Sequence, residues 1–419
     1  MTEEEEEDNN SRSDGALHAV GWRRRKRRLL SPAARLHLSV LRGTHRWYKD
    51  LHVYQLEHPT QVIEWTSART VCVAGYSPSK NEILELHLPL KIFADENKGL
   101  CAERDFKVVH GGFTDGPVRC LRYIPGTRCA VTGDGLSSNL QVWDLGGDDS
   151  DVIRRTGSIE GRRRRTGVSE GGSRIAARLL SQPQILHGAQ ISDVQLTELS
   201  SGQTLYQLES DSADPLSSLH FLSDTVFLAG CSNGNIYVAD TRTSAAPQLS
   251  PPPASSGESV LWWTDASAGP DPSGCRVVRL SSSGQALVSD LRNPGGAVSR
   301  AQLDVQTRCC SPDNVRVSWA PVLDDCIAVS GFSGAVQIYD TSVWRSEPQE
   351  ARPLFEHRGH AVSPEQSNDG VPPVLVTSHV WHPKRPRTLL SAASDGSVHV
   401  WDWVDQSAAD GQTEAVEKR

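Results

Sequence analysis

The sequence predicts an all-β protein: a single seven-bladed β-propeller behind a disordered, charged N-terminal extension. Three observations predict it. Gly234, Gly284, Gly334 and Gly396 are each followed six residues later by an aspartate: Asp240, Asp290, Asp340 and Asp402. The second and fourth residues after each glycine are apolar, as in Ile236/Val238 and Val398/Val400. The copies recur at spacings of 50, 50 and 62 residues. A fixed period of this size, carrying a turn glycine and a strand of alternating polarity, marks a radially repeated β-fold.

Composition agrees. With 34 Gly, 24 Pro, one Met and 6% aromatics in 419 residues, the chain suits short strands joined by turns rather than long helices. A net charge of −8 and a pI near 6.0 provide no global attraction to nucleic acid or an anionic membrane. No apolar stretch approaches the ~20 residues that span a bilayer, so no membrane partner is expected. The nine cysteines form no CxxC. Cys72, Cys129, Cys231 and Cys326 fall in or beside apolar runs, which predicts reduced, buried thiols.

Residues 1–45 read as a disordered charged extension, because acidic, basic and Ser/Asn-rich runs bury no core. A short amphipathic helix fits 33–41. Residues 46–405 carry the propeller, and 406–419 read as a disordered tail. The strand triplets fall at 62–65, 71–75 and 83–88, then at 118–123, 129–132 and 140–145. A weak set follows at 175–180, 185–186 and 194–199. Clear sets then run through 216–221, 226–229 and 235–240; 260–263, 276–280 and 285–290; 315–319, 326–330 and 335–340; and 374–381, 388–391 and 397–403. Three stretches interrupt them and read as surface loops: 146–173, 244–257 and 361–373. The glycine before each third strand predicts a positive-φ hairpin turn, most clearly in Ser232-Asn233-Gly234 and Ser394-Asp395-Gly396.

Trp143-Asp144, Tyr339-Asp340, Trp401-Asp402, Gly359-His360 and the Trp-x-Pro tripeptides ending at Pro321 and Pro383 resemble the WD-repeat family. In that family a histidine, an inner-strand Ser/Thr, a turn Asp and a strand Trp form a buried hydrogen-bonded tetrad. The resemblance places these roles on His360, Ser391, Asp395 and Trp401. The other repeats carry Asn233, Ser283 and Ser333 where the last has Asp395, so their tetrads are incomplete. The family also closes its ring with the N-terminal strand, which would set 51–56 beside 397–403.

Further stretches, among them Lys80-Asn81-Glu82-Ile83-Leu84 and Glu103-Arg104-Asp105-Phe106, resemble one branch of the family. That resemblance implies a non-enzymatic interaction protein, a monomer within a complex. It implies partners among the RNA-cleaving (endonuclease) subunits of the Integrator assembly and among spindle and microtubule proteins. The implied locations are the cytoplasm, spindle poles in mitosis, and the nucleus.

Chemistry is sparse in the sequence. GxxxxGK[ST], HExxH and HxE…CxxC are all missing, so no catalytic residues, cofactor or metal ligands are predicted. His357/His360 and His379/His382 have metal-like spacing but read more readily as strand-edge or tetrad histidines. Arg23, Arg24, Arg25, Lys26, Arg27 and Arg28 have the form of a nuclear-localisation or nucleic-acid patch, although a solvated tail explains them as well. No aromatic is interleaved there or in 162–165, which weighs against direct nucleic-acid binding. Asp240-Thr241-Arg242 and Asp290-Leu291-Arg292 resemble the ending that cullin–RING substrate receptors present to their adaptor, which makes Arg242 and Arg292 candidate adaptor contacts. Ala239 and Ser289 stand where that motif has Trp. A third reading, an enzyme with a site in the central channel, predicts convergent polar side chains at the strand starts.

Overall fold

The computed structural model describes residues 48–75, 81–88, 106–147, 149–161, 172–252, 260–267, 274–305, 312–361 and 373–404. The 1–45 extension, the 406–419 tail, the Arg23–Arg28 run, 162–165, Cys309-Cys310 and nearly all of 361–373 lie outside them.

Short apolar runs bounded by turn residues form seven sheets, the blades of a closed ring. The innermost strands of blades 1 to 7 are Thr60–Trp65, Cys120–Tyr123, Arg174–Leu179, Leu216–Phe221, Trp262–Ala266, Arg316–Trp319 and Val376–Trp381. Each lies beside the innermost strand of the next blade, and Val376–Trp381 returns to Thr60–Trp65. The buried side chains divide into seven clusters, one for each gap between neighbouring blades. A strand covered on both faces must be apolar on both, which is why the middle strands Val226–Cys231, Cys326–Ser330 and Thr388–Ala393 are buried almost throughout. The smallest cluster, Leu228, Ile236 and Val277, joins blades 4 and 5. The buried Arg279 guanidinium supplements it by donating to the carbonyls of Gly234 and Pro251, at 3.3 and 3.1 Å.

The ring closes through the N-terminal strand Tyr48–Gln55, which pairs antiparallel with Ser397–Trp403: Leu51 faces Trp401, Val53 faces His399 and Gln55 faces Ser397. The seam continues as Leu56 N–H donates to Gly396 O (2.9 Å) and Gln55 Nε2 to Asp395 O (2.7 Å). Thr377 Oγ1 donates to Thr60 O between the innermost strands of blades 7 and 1. The pairing covers the edge of Ser397–Trp403 and leaves Tyr48–Gln55 as the outer strand of blade 7.

Three turns follow the expected geometry: Gly234, Gly284 and Gly396 have φ of +87°, +85° and +85°. Each N–H returns to the carbonyl three residues back, as from Gly396 to Ala393. Blade 6 departs from the pattern. There Gly331, not Gly334, takes the positive φ, at +95°. The Asn314 backbone passes so close to Gly331 that a Cβ would lie 2.2 Å from its carbonyl oxygen, so both the positive φ and the close approach require glycine there.

The stretches 146–173 and 244–257, read from sequence as loops, also contain strands. Arg154–Ile159 is the outer strand of blade 2 and Gln248–Ser250 that of blade 4. Both are largely exposed on the disc's rim, so they lack the apolar pattern that marks inner strands. Blade 5 gains a fifth strand, because Glu350–Ala351 crosses back and pairs parallel with Asn293–Leu303. Cys129 is half-buried rather than buried, and none of the six described cysteines forms a disulfide.

Deleting 48–55 should expose the 397–403 edge, lower the Tm by about 10 °C or more and promote association. Calorimetry and size-exclusion chromatography would check this, and an unchanged Tm would mean that the seam carries no stability.

Candidate functional site

The closing blade holds a continuous polar relay. Trp401 Nε1 donates to Ser391 Oγ (3.1 Å), and Ser391 Oγ lies 2.8 Å from His360 Nε2. His360 Nδ1 lies 2.7 Å from Ser397 Oγ, which donates to Asp395 Oδ1 at 2.6 Å. With His360 protonated on Nδ1, every donor points the same way along the chain. The structure thus brings His360, Ser391, Asp395 and Trp401 together, with the hydroxyl of Ser397 between histidine and aspartate. Sequence reasoning did not include Ser397; its place two residues after the turn aspartate was the available signal. Because Ser397 and Trp401 sit on the strand that Tyr48–Gln55 closes upon, the relay and the seam share one sheet.

Other blades keep fragments of this pattern. Trp143 Nε1 donates to Thr132 Oγ1 at 2.8 Å in blade 2, and His187 Nε2 lies 3.1 Å from Thr197 Oγ1 in blade 3. In blade 4, Asp214 accepts from Asn235 Nδ2 and Tyr237 OH, at 2.7 and 2.8 Å. Between blades 1 and 2 the buried Glu85 carboxylate accepts from Arg128 (2.9 and 2.6 Å) and Thr66 (2.7 Å) and lies 2.6 Å from His110 Nδ1. Burial pushes the Glu85 pKa up, but the bonds from Arg128, Thr66 and His110 outweigh it and hold the carboxyl below the usual range. An acid inside the run Ile83-Leu84-Glu85-Leu86 was the visible sign that a partner had to be near.

Among the described residues one group has metal-like spacing: His357, His360 and His399, whose ligand atoms lie within 4.8 Å of one another. Both ring nitrogens of His357 and His360, and Nδ1 of His399, are already engaged in the protein. His357 meets Tyr48 OH at 2.8 Å and His399 Nδ1 at 3.0 Å, and His360 meets two serines. Coordination would have to break bonds that hold the seam. The group works as a hydrogen-bonded stack, with His360 lying over His399 at 3.8 Å.

Arg242 and Arg292 lie on neighbouring blades, with side chains 69% and 70% exposed. Each folds back on the aspartate two residues earlier. Arg242 Nη2 lies 2.6 Å from Asp240 Oδ2, and Arg292 Nε lies 2.9 Å from Asp290 Oδ1. Such exposed pairs contribute little stability and leave the guanidinium faces accessible.

The inner strands enclose a channel cavity of about 880 Å³ with polar side chains at the strand starts, among them Arg119, Arg174 and Arg316. His220 Nδ1 lies 3.3 Å from Asp265 Oδ1. Among the described residues no hydroxyl reaches His220 Nε2, so none completes the nucleophile–base arrangement of a catalytic triad with the pair. Trp262 is buried, whereas Trp263 turns to the cavity and donates to Pro312 O at 3.0 Å.

Residues 367–402 match the WD domain, G-beta repeat, the segment that contains all of the relay except His360. A Danio rerio protein described as Integrator complex assembly factor WDR73 is 49% identical over 363 residues, covering 86% of this chain and 94% of the relative. Homo sapiens and Xenopus laevis proteins of the same description are 41% and 40% identical, covering 87% of this chain and 96% and 98% of the relatives. The chain belongs to the WDR73 family of WD-repeat proteins. As a WDR73-family propeller it keeps the general repeat signature best in blade 7, where the relay is complete. The other blades substitute pairs such as Trp143/Thr132 and the Asp214 cluster for the full set.

Two buried histidines give the fold a pH dependence. Burial, reinforced by Arg316, lowers His379 to about 3, and burial lowers His187 to about 4. Unfolded histidine protonates near pH ~6.5, so between these values the unfolded chain binds more protons. The stabilising contribution is complete above pH ~6.5 and is lost as pH falls toward the folded values, at up to ~1.4 kcal/mol per pH unit per histidine. Replacing His379 with Asn should therefore flatten the loss of stability between pH ~6.5 and ~5 by up to one proton's slope, measured by urea unfolding. Equal slopes would remove His379 from the account.

Proposed function

We propose that this chain is a non-enzymatic scaffold that acts as an assembly factor for the Integrator complex. One observation carries the reading: relatives described by that role align along 94–98% of their length at 40–49% identity. The propeller supports it physically. A closed ring fixes its loops before any partner arrives, which lowers the ordering cost of association, and a single interface of about 1,600 Å² suffices for a stable complex. In the finer reading, the partners are the RNA-cleaving subunits of Integrator, and the chain acts as a monomer within that complex. It resides in the cytoplasm and nucleus and joins spindle poles and microtubules in mitosis. The reading requires no small-molecule substrate and no membrane. Among the described residues no helix is long and apolar enough to cross one.

The exposed Arg242 and Arg292 favour one alternative, a substrate receptor of a cullin–RING ubiquitin ligase. Affinity purification of the tagged full-length chain with mass spectrometry separates the two. Integrator subunits, including the endonuclease subunits, should be enriched, and should stay enriched in an Arg242→Glu/Arg292→Glu variant. A preparation without Integrator subunits, but with a cullin adaptor that the double variant loses, would replace the scaffold reading with the ligase one.

A further inference from the structure

The channel wall is rich in cations. Arg119 and Arg122 of blade 2, Arg174 of blade 3 and Arg316 of blade 6 all line the cavity. Two carboxylates answer them. Arg122 Nη1 lies 2.9 Å from Glu64 Oε2, and Asp313 is shared between Arg119 at 3.4 Å and Arg174 at 4.0 Å. Asp265 is occupied elsewhere, paired with His220 at 3.3 Å and accepting from Trp319 N–H at 2.6 Å. Among the described residues no hydrogen bond or ion pair forms to the Arg316 guanidinium. Burial, then repulsion from Arg174 and Arg122, outweigh the attraction of Cys120 and Asp313 and lower its pKa to about 10.

We propose that the central channel binds a small multivalent phosphate anion, held by Arg316 together with Arg122 and Arg174. The Arg316 guanidinium, which shares a walled cavity with the carboxylate-paired Arg122 and Arg174, lacks the charge a ligand would supply. The planar N–H forks of arginine match phosphate oxygens in pairs. The cavity, about 880 Å³, is the size of a small-molecule site. Its arginines sit on the ring's innermost strands, which favours a compact anion over an acidic polypeptide that would have to thread in end-on. The site is independent of the assembly partner.

The test uses the purified full-length chain, washed in high salt, with thermal unfolding and titration calorimetry at matched ionic strength. Pyrophosphate is the main probe, inorganic phosphate the smaller source, and a short polyglutamate peptide the polypeptide source. Pyrophosphate at millimolar concentration should raise the Tm saturably by about 4 °C or more. Saturation by inorganic phosphate at similar concentrations would also support the site and reduce its ligand to one phosphate. Arg316→Gln should weaken binding by about tenfold or more. Its ligand-free Tm should be unchanged or higher, because repulsion from Arg174 and Arg122 is relieved, whereas a structural arginine would lower the Tm on removal. Arg174→Gln gives a second variant with the same loss of binding, and Arg154→Gln on the outer rim should bind as the parent does. The proposal is overturned if neither phosphate shifts the Tm, if the shift survives Arg316→Gln and Arg174→Gln, or if the peptide alone binds.

Discussion

The pairing of Tyr48–Gln55 with Ser397–Trp403 is the constraint on which the other features depend. Strands from opposite ends of the described chain must meet before blade 7 has its fourth strand. Only then are the last two inter-blade clusters enclosed, one against blade 6 and one against blade 1. The contact is non-local, so its loop-closure entropy must be offset by local gains at the same place. The closing sheet concentrates them. Tyr48 packs edge-on against Phe355 at 5.3 Å and reaches His357, while Trp401, Trp403 and Phe355 fill the layer beneath. The relay through His360 and Ser391 fixes the rotamer of Trp401 in that layer. Its full satisfaction matters because a half-paired buried network costs more than an apolar core.

What the sequence made legible follows from which strands are covered. Inner and middle strands are buried on both faces and read as apolar runs, so even the weak set near Ile175, Ile185 and Leu196 marks a real blade. Outer strands face solvent. Arg154–Ile159 has the composition of a loop, and only pairing with Leu140–Asp144 makes it a strand. The turn at Gly331 was hidden for a different reason, since the close approach of the Asn314 backbone, which excludes a Cβ there, leaves no mark in the local sequence. The relay was legible in four of its members because those residue types stand at recognisable offsets. Ser397 was not, because serine at a strand start is common.

The candidate surfaces divide in the same way. Arg242 and Arg292 could be named from a local pattern. The channel arginines could not, because Arg122, Arg174 and Arg316 are separated by long stretches of sequence and converge only when the ring closes. Glu85 and Arg128 are a similar case, joined across two blades by a contact that no local pattern encodes. Closure therefore produces both the rigid rim that an assembly factor offers its partners and the charged interior.

Hydrogen–deuterium exchange of the full-length chain tests this account most directly. If the ring is closed as described, amides in 397–403 should exchange only through global opening, and the amides of 51–56 that bond to 397–403 should be as protected as their counterparts in the outer strands of the other blades. Fast exchange at both sides of the seam, while the other blades stay protected, would show an open ring and contradict the account.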